Sequence, residues 1–140
     1  MNVSKSLLVS LLALVLAIPA LSTAEDAKPY SVAFTAKDTV KVGSAGQCSL
    51  TITPADGYVL KTVTPFKGKL SAPAAIALTQ DTYAAKDFVD AKAFAKTITA
   101  KFTAKAAGAA DIKADLTFFI CNDELCKRYK DASTCAAKVE

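Results

Sequence analysis

The chain predicts an all-β sandwich of antiparallel strands, on two observations. Large apolar residues alternate with small or polar ones at period two in four separate segments, and glycine or proline turn signals lie between segments. Successive strand residues point to opposite faces of a sheet, so this alternation is what a half-buried strand requires.

The first segment is Tyr30-Ser31-Val32-Ala33-Phe34-Thr35-Ala36, with Tyr30, Val32 and Phe34 on the apolar face. Gly43 and Gly46 mark a turn. Residues 47–53 repeat the pattern, with Cys48, Leu50 and Ile52 opposite Gln47, Ser49, Thr51 and Thr53. Pro54-Ala55-Asp56-Gly57 is a turn signal. Tyr58-Val59-Leu60 then starts an extended piece that breaks near Pro65 and Gly68. Between Leu70 and Asp90 the alternation weakens, and Pro73 argues against a central strand. Residues 84–96 are rich in alanine and lysine, and on propensity alone predict a short helix.

The alternation then returns. Phe94, Ile98, Ala100 and Phe102 form one face against Thr97, Thr99, Lys101 and Thr103. The β-branched threonines in strict alternation favour a strand over a helix. After Gly108, Ile112, Ala114, Leu116, Phe118 and Ile120 oppose Asp111, Lys113, Asp115 and Thr117, the clearest strand in the chain. Short strands in this order suggest an immunoglobulin-like topology. There is no internal repeat and no linker, so residues 25–140 read as a single domain.

The first 24 residues read as a secretory signal. Lys5 supplies the positive start, and Leu7 to Ile18 an apolar run too short to span a bilayer comfortably. Ser22 and Ala24 are the small residues of a cleavage site before Glu25. No later segment has the run of apolar residues a membrane helix needs, so no stable membrane insertion is expected after cleavage. The expected location is periplasmic or secreted.

The net charge is +4, with lysines scattered among aspartates. That reads as a solvated surface, and a nucleic-acid partner is not expected. Arg128 is the only arginine, and no aromatic–arginine patch of the kind that stacks bases is present. Histidine is absent, which excludes a Ser-His-Asp triad, a Cys-His nucleophile and any imidazole metal ligand. No cofactor is implied.

Unusual chemistry is left to four cysteines, which allow three disulfide connectivities. Cys48 is in phase with Leu50 and Ile52. Cys135 is in phase with Ala137 and Val139, on the expected inner face of a last strand. Cys121 is out of phase with Ile120, Phe118 and Leu116. Without a bulge, these phases predict a buried Cys48–Cys135 structural bond and a more accessible Cys121–Cys126 pair. Loop entropy agrees: closing the long loop stabilises by about 4–5 kcal/mol, the short one by only about 2 kcal/mol. Asn122-Asp123-Glu124-Leu125 can form a hairpin loop between two strands, and flanking cysteines then reach disulfide distance. Lys127 and Arg128 would favour a Cys126 thiolate, whereas Asp123 would oppose ionisation of Cys121.

Three readings of that pair stand open. It is an inert hairpin disulfide of a secreted domain, an exchange-active redox pair, or part of a four-cysteine zinc site. Export and the lack of two short ligand pairs disfavour zinc, so no metal site is expected. The spacing is not C-x-x-C, and the βαβ pattern of a thioredoxin fold is missing.

The segments Asp56-Gly57-Tyr58-Val59-Leu60 and Leu116-Thr117-Phe118-Phe119-Ile120-Cys121-Asn122-Asp123-Glu124-Leu125-Cys126 resemble the N-terminal periplasmic domain of the thiol:disulfide interchange protein DsbD. The resemblance covers most of residues 25–140, and its specific part is the cysteine hairpin. It implies an immunoglobulin-like fold, a periplasmic location and thiol–disulfide exchange with thioredoxin-like or other periplasmic thiol/disulfide proteins. Cys121 and Cys126 match the family's active pair. Tyr58 matches a tyrosine beside that pair. Thr82 to Phe88 falls where the family has an aromatic-bearing cap loop, so Tyr83 or Phe88 would be the shielding ring. The chain also departs from the pattern. Four residues separate the cysteines where the family usually has five. Lys127-Arg128-Tyr129-Lys130 replaces Tyr-Pro-Pro, Cys48 and Cys135 are additional, and the family's membrane and thioredoxin-like domains are not in this sequence. Any electron source would therefore be a separate protein. The alternative function is a non-catalytic β-sandwich binding or structural module stapled by two inert disulfides.

Overall fold

A computed structural model describes residues 27–140, and the expected signal 1–24 lies outside them. The chain forms β1 (Tyr30–Ala36), β2 (Ala45–Pro54), β3 (Lys67–Ser71), β4 (Ile76–Leu78), β5 (Thr82–Tyr83), β6 (Lys96–Ala104), β7 (Gly108–Cys121) and β8 (Cys126–Val139). One sheet has the order β1-β2-β6-β4 and the other β5-β3-β7-β8, with antiparallel neighbours throughout. The first order is the A-B-E-D arrangement of an immunoglobulin sandwich. The second is C-F-G with β5 added outside β3.

The alternation in the sequence sets the core. Cys48, Leu50 and Ile52 of β2, Ile98 and Phe102 of β6, and the apolar series from Ile112 to Ile120 of β7 all bury their side chains between the sheets. Beyond β1 the chain crosses to the other sheet. There Val40 donates to Lys138 O at 2.9 Å and accepts from the Glu140 amide at 2.9 Å, a parallel bridge that closes the far end of β8. The turn after β2 closes with the Tyr58 amide donating to Ala55 O at 3.0 Å. Gly57 sits there at φ +80°, where a side chain would be strained.

Two expectations fail in residues 84–96. The helix is reduced to one 3-10 turn, Ala85–Asp87, which the Asp87 carboxylate holds by accepting from the Ala84 amide at 2.7 Å. Alanine and lysine give propensity but no continuous apolar stripe. The local anchors are instead Phe88, whose ring packs tilted against Phe66 with centroids 4.8 Å apart, and the buried Lys96 ammonium, which donates to Ala91 O and Ala93 O. Phe94 is exposed rather than the first inner residue of β6. The strand starts at Lys96, and a lysine at that inner position breaks the apolar series between Phe94 and Ile98. The sequence also placed a break near Gly68, where the structure has β3. Gly68 faces inward there, between Phe66 and Leu70.

A disulfide-closed hairpin as the candidate functional site

β7 and β8 pair in unbroken register from Gly108 opposite Val139 to Cys121 opposite Cys126. No bulge intervenes, so the phase argument holds, and Cys121 lies on the opposite face from Ile120. The Cys121 amide donates to Val59 O at 2.9 Å, and the Val59 amide donates to Cys121 O at 2.8 Å. Both hydrogen-bonding groups of Cys121 therefore face away from β8. That makes Cys121 and Cys126 a non-hydrogen-bonded pair, the type in which opposite residues approach most closely. Their Cα atoms are 4.0 Å apart and their sulfurs are bonded.

The loop between them is organised by one side chain. Asn122 Oδ1 accepts from the Glu124 amide at 2.9 Å and the Leu125 amide at 2.8 Å, while the Asn122 amide donates to Leu125 O at 2.9 Å. An asparagine at the head of a turn commonly substitutes its side chain for a backbone acceptor in this way.

The pair is more accessible than Cys48–Cys135, but at one end only. Cys121 is fully buried although it lies outside the core cluster. It is flanked by Val59 on one side and Cys126 on the other, with Phe119 next on the same face of β7. Only Cys126 is exposed. Arg128 shares the outer face with Cys126, whereas Lys127 lies on the opposite face, its ammonium 5.5 Å from the Tyr129 ring centroid. Of the two cations adjacent in sequence, Arg128 is the one placed to act on the Cys126 sulfur.

Two of the three aromatic candidates, Tyr83 and Phe88, lie in the core cluster. Tyr58 packs against the core cluster, and it is its neighbour Val59 that pairs with Cys121. Tyr83 is buried in β5 opposite Gly68, in the row of Leu116, several residues down β7 from the cysteines. Phe88 is buried against Phe66. Tyr83 and Phe88 belong to the core cluster, which does not include Cys121, so the 82–88 segment contributes its rings to the core rather than to a cover over the pair.

Cys48 and Cys135 are bonded and fully buried, with Cα atoms 6.5 Å apart. The bond ties β2 of one sheet to β8 of the other across the core. With both bonds closed, no described cysteine offers a thiolate for a metal, and among the described residues no cluster of metal-ligating side chains occurs.

A polar knot that the sequence did not signal joins the same two sheets. The Tyr30 hydroxyl donates to Asp131 Oδ2 at 2.9 Å, and Lys28 Nζ lies 3.2 Å from the same oxygen. Burial pushes the Tyr30 phenol well above its ordinary value, and the hydrogen bond to the Asp131 carboxylate and its charge add to this. Burial alone would raise Asp131 as well. Hydrogen bonds from Tyr30, Lys28 and the Ala132 amide outweigh it and hold the carboxyl below its ordinary value. A separate cleft of about 640 Å³ lies between residues 37–47 and β6, away from the Cys121–Cys126 hairpin.

No family model and no curated protein matches the chain. Solved structures of similar shape include a cohesin module from a Clostridium perfringens family 33 glycoside hydrolase, at 11% identity, covering 80% of this chain and 98% of that one, with a TM-score of 0.47. A conjugative transposon lipoprotein from Bacteroides eggerthii is 9% identical, over 78% of this chain and 98% of that one, with a TM-score of 0.41. A PapD-like domain of human CEP192 is 10% identical, over 97% and 99%, with a TM-score of 0.40. The resemblance to the DsbD periplasmic domain rests on the residues quoted for it.

Proposed function

We propose that this chain is a non-catalytic β-sandwich module, exported and rigidified by two structural disulfides, that acts by binding. The observation that carries the reading is the state of the four cysteines. One bond crosses the core with both ends buried. The other closes a hairpin with Cys121 buried and its backbone tied to Val59. To open the hairpin bond, a reductant must release a buried sulfur whose backbone amide and carbonyl are both bonded to Val59. Presented with a reduced thioredoxin-like protein, the folded chain should keep both bonds closed, so that alkylation and mass mapping find no label on Cys121 or Cys126. Ready labelling of the pair would overturn the reading.

One observation favours a second reading, thiol–disulfide exchange. Cys126 is exposed beside Arg128 while Cys121 is covered, which gives an incoming thiolate a single sulfur to attack. In that reading, a partner thiolate attacks the Cys126 sulfur. The Cys121–Cys126 bond breaks and Cys121 leaves as a thiolate, which then takes up a proton. The partner's second thiolate then attacks the partner sulfur of the mixed disulfide and expels Cys126. Two electrons pass to this chain and the partner ends as a disulfide. In the reverse direction, Cys126 attacks a partner disulfide and Cys121 resolves the intermediate.

A further inference from the structure

The outer faces of the two sheets differ in chemistry. On β1-β2-β6-β4 the outward positions are mostly serine, threonine and alanine, and Lys101 is the one charged side chain among those of the four strands. On β5-β3-β7-β8 the outward cations exceed the anions, and the three nearest the cysteine hairpin are Lys67, Lys130 and Arg128. Lys67, Thr117 and Lys130 stand in one cross-strand row, followed by Phe119 beside Arg128, and then Val59, Cys121 and Cys126. The acids of this face, Asp111 and Asp115, lie farther from the hairpin. Strand spacing puts Lys67 and Lys130 about 10 Å apart at the backbone, and Arg128 about 7 Å along β8 from Lys130. Beside these three cations lies an apolar spot of half-buried Phe119 and Val59, which is 41% exposed.

We propose that this half of the sheet face is a docking site for an acidic protein segment, whose carboxylates pair with Lys67, Lys130 and Arg128 and whose next apolar side chain sits on Phe119 and Val59. Three cations with no acid in their own rows, Asp115 standing one row away, leave this end of the face positive, which favours an anionic partner. The distance from the Lys67–Lys130 row to the cysteine row is two steps of strand alternation, about 13 Å, which four or five extended residues span. A continuous polyanion fits less well, because Asp123 and Glu124 lie at the loop tip beyond the disulfide and would repel a phosphate backbone running on across the hairpin. Phe119 is too covered to stack a base. The inference rests on the binding-module reading and names its partner.

The test is titration of the isotope-labelled protein with a synthetic peptide of four glutamates followed by a leucine, read by amide shift mapping. Shifts should cluster on β3 and the hairpin half of β7 and β8, and should weaken with added salt. The triple variant Lys67→Glu, Arg128→Glu, Lys130→Glu should lose affinity at least about tenfold, and Lys101→Glu on the other sheet should change it less than about twofold. Should the triple variant fail to fold, Arg128→Glu alone and the salt dependence give the same reading. Absence of binding, shifts centred on β1-β2-β6-β4, unchanged affinity in the charge reversals, or tighter binding to phosphatidylglycerol vesicles or duplex DNA would each overturn the proposal. Thiol mapping on the same sample separates the two ideas. A reducible Cys121–Cys126 bond with peptide binding intact would sink the inert-disulfide reading and leave the docking face standing.

Discussion

Gly46 shows how tightly single residues constrain the sandwich. A Cβ placed there would lie 2.5 Å from Phe102 Cζ and 2.7 Å from Val40 Cγ2, closer than real contacts allow. Phe102 is a core ring and Val40 is the residue bridged to β8, so neither can yield cheaply. Gly46→Ala should destabilise the fold by about 1–3 kcal/mol in urea unfolding, through overpacking. Tyr30 and Asp131 make a second prediction at this scale. The folded-state value of Asp131 is depressed below 3.8. Its stabilisation is therefore fully present above the unfolded value and is lost as pH falls through the folded one. The stability gap between the protein and Asp131→Asn should stay constant from neutral pH down to about pH 5, and narrow below about pH 4. Tyr30 runs the other way. Its folded value is raised, so its contribution holds below about pH 10 and drains away as the pH climbs from there toward the folded value. A gap that widened on acidification would contradict the arrangement. Neither contact was legible in the sequence, because Tyr30 and Asp131 meet only where the first and last strands come together at the edge of the sandwich.

At the scale of elements, strand phase carried more information than composition. β1, β2, β6 and β7 each keep apolar residues on one face, so their alternation survives in the sequence and also fixes which cysteines point inward. Cys48–Cys135 followed from that phase. β3 escaped because one of its two inner residues, Gly68, lacks a side chain, which leaves Leu70 as its single inward apolar side chain. The helix expected at 84–96 failed because propensity without an apolar stripe gives a segment nothing to pack, and Lys96 and Phe88 anchor it as a loop. The burial of Cys121 was hidden for another reason. Its neighbour Val59 arrives from a distant segment through a two-hydrogen-bond bridge. The two disulfides should separate in unfolding experiments. Replacing Cys48 and Cys135 with alanine should cost about 2–5 kcal/mol, since the bond closes a long loop and clamps both sheets. Replacing Cys121 and Cys126 should cost no more than about 2 kcal/mol. Asn122→Ala, which removes the acceptor for two loop amides, should cost about 1 kcal/mol, seen as faster amide exchange confined to residues 122–125.

For the whole molecule, the disulfide across the core, the Tyr30–Asp131 contact and the Val40 bridge all fasten one sheet, or the segment leaving it, to the other. They make the sandwich a rigid body with a nearly uncharged outer face on one side and a basic one on the other. The cysteine hairpin stands at the basic end. Its cysteines were the most legible feature of the sequence, and its chemistry is decided by how they sit: one sulfur covered, one exposed, neither free. The measurement that bears most directly on this account is the reduction potential of Cys121–Cys126 in the folded protein, from glutathione titration with thiol trapping and mass mapping. A structural bond predicts a value below about −300 mV. A value between about −120 and −270 mV would place the pair among exchange-active dithiols and contradict the account.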